Sequence, residues 1–398
     1  MRRLIFALLL MAVACGPAQA QPAISLSAGV ATPSATATAA LSPSPTPSTS
    51  GPLLFAVLEA KIPGSPYVYN TVAIAGLDGY ARAKTTFVPM PVPSLGCMGP
   101  LLPPQAQVAD DKVYFADGTG VVRSLSASGQ VTRVASFPFS GHQQMLSFAV
   151  SPDGSHLLGT VFTLPAKPNL GCNGTQAGGY SLDVYSALAG GSSTLLYQEL
   201  TNAPGVTNAP GASFVIALTG WDALGPIGSY PIWASQGGGP ESELGVAVRI
   251  DATTGKVLRP VADPYSCTVW DSVASGDFVC IPAVSASVSV RRPDGSEIWH
   301  FAATTPINGL WNPFLAPDEQ HVVVVDGTEE VAGESGSRVT LGNATFVVSG
   351  WLNSTTLIGN GVGPNVGPGS DMAYVGLSAP STVVSLGFQG SFVGTVQT

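Results

Sequence analysis

Two stretches of this chain superpose on each other. Ser151-Pro152-Asp153-Gly154-Ser155-His156-Leu157-Leu158 matches Ala316-Pro317-Asp318-Glu319-Gln320-His321-Val322-Val323. Each is a Pro-Asp turn followed by a short apolar run. Similar strand-turn-strand units recur every 35–55 residues or so, roughly the spacing of stacked sheet blades. A single unit cannot bury both of its apolar faces, so such units must stack, and a closed ring leaves no bare end. The repeat therefore predicts an all-β chain closed as one β-propeller.

Composition agrees. The 398 residues include 47 Gly and 34 Pro, and only 10% are charged. Many turns and few charges favour short strands over helices. From Leu53 onward the apolar runs are bounded by Gly, Pro, Asn and Asp, and no long stretch shows a helical period. Seven units can be drawn, at about 53–90, 103–138, 144–200, 212–262, 267–304, 308–347 and 348 to the end. Six or eight blades stay open at this point, because the last two units are poorly separated. The first unit lacks an innermost strand. Ser391-Phe392-Val393-Gly394-Thr395-Val396 is the segment expected to supply it, which would join the two ends of the chain in one blade.

The N-terminus reads as an export signal over residues 1–20. Arg2-Arg3 form a basic start, and Leu4 to Val13 form an apolar run too short to span a bilayer. Two cleavage sites compete. Ala18-Gln19-Ala20 suits an ordinary signal peptidase acting before Gln21. Ala12-Val13-Ala14-Cys15 resembles a bacterial lipobox, with Ala12 where leucine is usual, and would make Cys15 the lipidated first residue. Residues 21–52 are rich in Pro, Ser and Thr, as in Ser42-Pro43-Ser44-Pro45-Thr46-Pro47. Such a segment is expected to be a disordered linker reaching roughly 30 Å as a coil. The propeller domain is assigned to 53–398. The address that follows is extracytoplasmic, on the outer face of a bacterial membrane or in the periplasm, lipid-anchored or freely secreted.

Removing Cys15 from five cysteines leaves four, which allow three pairings. Leu95-Gly96-Cys97-Met98-Gly99 and Leu170-Gly171-Cys172-Asn173-Gly174 share a pattern, and both fall in connections that open on the same face of a ring. We therefore pair Cys97 with Cys172 and Cys267 with Cys280, as disulfides of an oxidising compartment. The rival, metal binding, lacks a Cys-X-X-Cys spacing.

The Ser-Pro-Asp-Gly turn followed by an apolar strand resembles the repeat of bacterial exported β-propellers with WD-like repeats, such as the propeller domain of the Tol-system periplasmic protein. The match is full at Ser151–Gly154 and partial at Ala316–Glu319. Asp251-Ala252-Thr253-Thr254-Gly255-Lys256-Val257-Leu258 is similar to the turn of quinoprotein-type repeats. Both resemblances imply blade geometry, and propellers host many unrelated functions.

The net charge is −9 and no Lys/Arg run occurs, which argues against a nucleic-acid partner. No Gly-X-Ser-X-Gly elbow and no His-Glu-X-X-His motif occurs, so no catalytic residue, metal ligand or cofactor is assigned. His156 and His321 hold equivalent repeat positions, which predicts a shared structural role. Asp326, Glu329, Glu330 and Glu334 form an acidic run that matches no calcium loop. Trp221, Trp270, Trp311 and Trp351 recur roughly 40–50 residues apart, near the proposed innermost strands. They read either as wedges between blades or as an aromatic collar for a flat ligand. The expected function is a non-enzymatic, membrane-tethered propeller that binds a protein partner or small ligand at one face. The alternative is an extracellular hydrolase or quinone-dependent dehydrogenase.

Overall fold

The structure, a computed structural model, describes residues 52–60, 68–92, 105–141, 143–166, 179–201, 217–229, 247–263, 267–281, 287–302, 313–324, 330–342, 346–361 and 371–397. All belong to the compact unit Thr49–Thr398. The leader, Cys15 and most of the linker lie outside the described residues, as do Cys97, Cys172 and Trp311.

Every described element is a strand, and the strands form seven antiparallel four-stranded sheets. Blade one contains β1 (Leu54–Ala60), β2 (Tyr69–Gly76) and β3 (Ala81–Thr86). Blade two is β4 (Ala106–Ala109), β5 (Lys112–Ala116), β6 (Val121–Ser126) and β7 (Val131–Ser136). Blade three is β8 (Gln144–Val150), β9 (His156–Thr163), β10 (Tyr180–Leu188) and β11 (Thr194–Thr201). Blade four is β12 (Ala217–Asp222), β13 (Gly225–Ser229), β14 (Ala247–Ile250) and β15 (Val257–Pro260). Blade five is β16 (Thr268–Ser272), β17 (Phe278–Ile281), β18 (Ser287–Arg291) and β19 (Glu297–Ala302). Blade six is β20 (Phe314–Leu315), β21 (His321–Val324), β22 (Glu330–Gly333) and β23 (Arg338–Thr340). Blade seven is β24 (Val347–Asn353), β25 (Thr356–Asn360), β26 (Asp371–Gly376) and β27 (Val383–Gln389). The last strand, β28 (Ser391–Val396), pairs with β1 and becomes the innermost strand of blade one. Leu54 opposes Val396 and Leu58 opposes Ser391. The chain thus closes as the sequence predicts, and the open question of six, seven or eight blades is answered by seven.

The core is split among the seven seams. In β1, Leu54, Ala56 and Leu58 pack towards blade two, while Phe55 and Val57 pack towards blade seven. In β5, Val113 and Phe115 face blade one, and Tyr114 and Ala116 face blade three. β9, β17 and β21 divide their residues in the same way. Strands buried on both faces need unbroken apolar runs rather than alternation, which is why Leu-Phe-Ala-Val-Leu and Val-Tyr-Phe-Ala read as they do. Blades four and five are also tied by the Ala223 N–H, which donates to the Ala274 carbonyl at 3.0 Å.

Residues 222–243 read as a single loop, yet β13 occupies Gly225–Ser229, and Ile227 opposes Arg249 in the register. The Gly-Pro-Ile-Gly-Ser composition hides a strand whose partner lies across a long connection.

Candidate functional site

Antiparallel order fixes which connections share a face. Links from first to second and from third to fourth strands emerge on one side of the ring. Links from second to third strands, and from one blade to the next, emerge on the other. On the first side the connections are tight: 110–111, 151–155, 223–224 and 354–355 between inner strands, and 77–80, 127–130 and 292–296 further out. On the second side they include 87–105, 164–179, 202–216, 230–246, 303–313 and 361–370. The two faces therefore differ in kind. One is a set of short turns, and the other carries the long insertions.

The short-turn face is built from carboxylates that cap their own turns. Asp153 Oδ1 accepts from the Ser155 N–H at 3.0 Å, Asp251 from Thr253 at 2.8 Å, Asp294 from Ser296 at 2.8 Å and Asp318 from Gln320 at 3.0 Å. These are Asx turns, in which the side chain mimics a backbone acceptor. The Ser151 hydroxyl, with the backbone and hydroxyl of Ser155, holds Asp153 down at about 2. On the opposite face, in the link between β5 and β6, burial pushes Asp117 up, but Thr119, Arg123 and two backbone N–H groups outweigh it and keep the carboxyl below its ordinary range. The two repeat histidines match in backbone pairing: the Ser151 N–H donates to His156 O and the Ala316 N–H to His321 O, both at 2.9 Å. Their equivalence is structural, as expected from their place beside the turn.

The inner strands are laced to their neighbours. Gln107 donates to Phe148 O at 2.7 Å and accepts from the Val150 N–H at 3.3 Å. Ser147 Oγ accepts from the Leu218 N–H at 2.8 Å, and Asp271 from the Leu315 N–H at 2.8 Å. Asp271 is only half-buried as a residue, yet its carboxyl is enclosed, and burial pushes it up to about 6 against two backbone donors. Asp222 and Arg249 form an ion pair with both side chains about one-twentieth exposed, 4% and 5%. Asp222 Oδ2 and Arg249 Nη2 have no partner among the described residues.

Trp221 and Trp351 lie in the later part of their inner strands, nearer the short turns than expected, and Trp270 is the middle residue of its own. Trp351 is 6% exposed, and its indole N–H donates to Phe314 O in blade six at 2.8 Å. It fills the seam between blades six and seven. Trp221 is half-buried at the edge of the seam between blades three and four. Trp270 sits in β16, and Trp311 falls in the connection 303–313. Trp299, which the sequence did not single out, plays the part of Trp351 one seam earlier, donating to Glu319 O at 2.9 Å. Cys267 and Cys280 stand at disulfide distance, with Cα atoms 5.4 Å apart, and pin the entry of blade five to β17. Of the acidic run, Glu330 pairs with Arg338 at 3.1 Å, and Asp326 and Glu329 lie outside the described residues. Among the described residues no group of three His, Cys, Asp or Glu side chains is placed to hold a metal ion.

No family model and no curated protein matches the sequence. Among solved structures, an oligogalacturonate lyase in complex with manganese is similar at 11% identity, with a TM-score of 0.46 over 83% of this chain and 90% of that one. TolB from Acinetobacter baumannii is similar at 16% identity, with a TM-score of 0.37 over 72% of this chain and 62% of that one. An oligogalacturonate lyase from Vibrio parahaemolyticus gives 9% identity and a TM-score of 0.41, covering 74% and 80%. At these values the likeness carries no functional information. The seven-bladed ring stands on its own strand pairing.

Proposed function

We propose that this chain is an exported, non-enzymatic binding module, tethered through lipid at Cys15, which recognises a protein partner or small ligand with the face that carries its long connections. One observation carries the reading: connection length is divided by face, with tight turns on one side and the insertions 164–179, 230–246 and 361–370 on the other. A rigid scaffold that displays long loops on one side is the common arrangement for recognition. The export-like leader and the cysteine pair Cys267–Cys280 support an oxidising, extracytoplasmic location. Trp311, within 303–313, is the aromatic residue we assign to the contact, where a flat ring adds both area and orientation.

The test is affinity capture by the full-length chain in its native envelope. A stoichiometric partner should be captured, and lost when 230–246 is replaced by a short Gly/Ser turn or when Trp311 is changed to Ala. Replacing the turn 127–130 should leave capture intact. Capture that follows the short-turn replacement instead, turnover in a broad hydrolase screen, or a quinone absorption band would refute the reading. Mass analysis of the mature protein decides lipidation at Cys15 against cleavage after Ala20.

A further inference from the structure

The turn 316–320 of blade six shares the Pro-Asp pair and the backbone hydrogen bonds of the turn 151–155 of blade three, but not its glycine. Where blade three has Gly154 at φ +69°, blade six has Glu319 at φ +62°. A side chain in the left-handed region costs roughly 1–2 kcal/mol, so its presence there asks for a reason. The side chain crosses the seam. Glu319 Oε1 accepts from the Ser275 hydroxyl at 2.6 Å, in the turn 273–277 of blade five. Ser275 Oγ also accepts from the Asp277 N–H at 3.2 Å, and the Asp277 carboxyl faces Glu319. The Trp299 indole holds the Glu319 carbonyl, so the residue is fixed at both ends.

We propose that Glu319, Ser275 and Asp277 form a proton-operated joint between blades five and six, closed while Asp277 is protonated against Glu319 and loosened once Asp277 is ionised. No other described seam is bridged by two facing carboxyls; Gln107 and Ser147 do the corresponding work in uncharged form. The surroundings favour protonated Asp277. Burial first, then the charge and hydrogen bond of Glu319, push Asp277 up to about 6, and Asp294 adds to the push while Arg292 opposes it. Asp222 approaches from blade four, close to Gly276, but is paired with Arg249. Asp318 is paired with His321 on the far side of the turn. Asp271 lies in the same blade and bonds across the same seam, and it is also raised to about 6. Raised carboxyls stabilise the fold while protonated and withdraw that support as pH climbs through the folded-state value. The joint is therefore tight in mildly acidic surroundings and weaker above about pH 6.

The experiment is thermal unfolding of the full chain at about pH 5 and about pH 7.5, together with amide exchange in 273–277 and 316–320. The wild type should melt a few degrees lower, and exchange faster in these two turns, at the higher pH. Glu319→Gln keeps the hydrogen bonds and removes one charge, so it should raise the melting temperature at the higher pH and flatten the profile. Glu319→Gly, which also relieves the backbone, should flatten it too. Asp271→Asn separates the inner carboxyl from the joint: the turn-specific exchange difference should survive it. A wild-type profile that is flat, or one whose slope is unchanged in both Glu319 variants, overturns the proposal.

Discussion

Replacing Trp351 by Phe tests whether the seams hold this ring together. The indole is 6% exposed and donates to the Phe314 carbonyl of the neighbouring blade at 2.8 Å. Phenylalanine keeps a ring in the slot but has no N–H. The lost hydrogen bond is worth about 0.5–1.5 kcal/mol net, and more if the carbonyl stays dry. The smaller ring leaves a void in a core that includes Val348, Leu357 and Phe346, which adds about 1 kcal/mol. The sum is about 1.5–2.5 kcal/mol, and Trp351→Ala should cost about 3–5 kcal/mol. In a chain of this size each kcal/mol corresponds to roughly 1–3 °C, so the Phe variant should melt about 2–7 °C lower. The same change at half-buried Trp221 should cost under about 1 kcal/mol. Differential scanning calorimetry of the three variants decides the matter. A Trp351→Phe protein melting within about 1 °C of wild type would show that the indole does not wedge the seam, and the structural account would fail.

Three further outcomes follow from single sites. Gly154→Ala forces a Cβ into the left-handed region and to 2.3 Å from Tyr114 Oη; denaturant titration should show a loss of more than about 2 kcal/mol. Deleting residues 391–398 removes the inner strand of blade one, including Val396 in the first seam; the product should run as an aggregate or an open, near-UV-silent species on size exclusion and circular dichroism, and a monomer with native melting would contradict closure by β28. Asp117→Asn addresses a carboxyl held below its ordinary value. Such a group contributes stability above its unfolded value and loses it as pH falls through the folded one, so the variant should be about 1–3 kcal/mol weaker at neutral pH and show a shallower loss on acidification below about pH 4.

What could be read in the sequence was whatever is local. A strand buried on both faces announces itself as an unbroken apolar run, and a Pro-Asp turn needs only its own residues, so the blades show in Leu54–Leu58, Val113–Ala116 and the turns at Ser151 and Ala316, while their number was settled by the strand pairing. Closure was legible because an unpaired first blade left one place for Ser391–Val396. What stayed hidden depends on the ring itself. β13 is a strand only because Arg249 and its neighbours come back to pair with it. Ser275 meets Glu319 across 44 positions of sequence, and Asp222 meets Arg249 across 27. No spacing rule brings such residues together. The one clue was the Glu that stands where the matching Pro-Asp turn has Gly, and its meaning required the neighbouring blade.

The distribution of polar groups supports assigning recognition to the other face. On the short-turn face the carboxylates of Asp153, Asp251, Asp294 and Asp318 are already committed to backbone N–H groups two residues on. Asn353 is committed likewise, to Thr355 at 2.9 Å. A ligand that took those oxygens would have to leave a turn uncapped. Binding there works against the fold. Recognition on the opposite side, as proposed, would leave these caps in place.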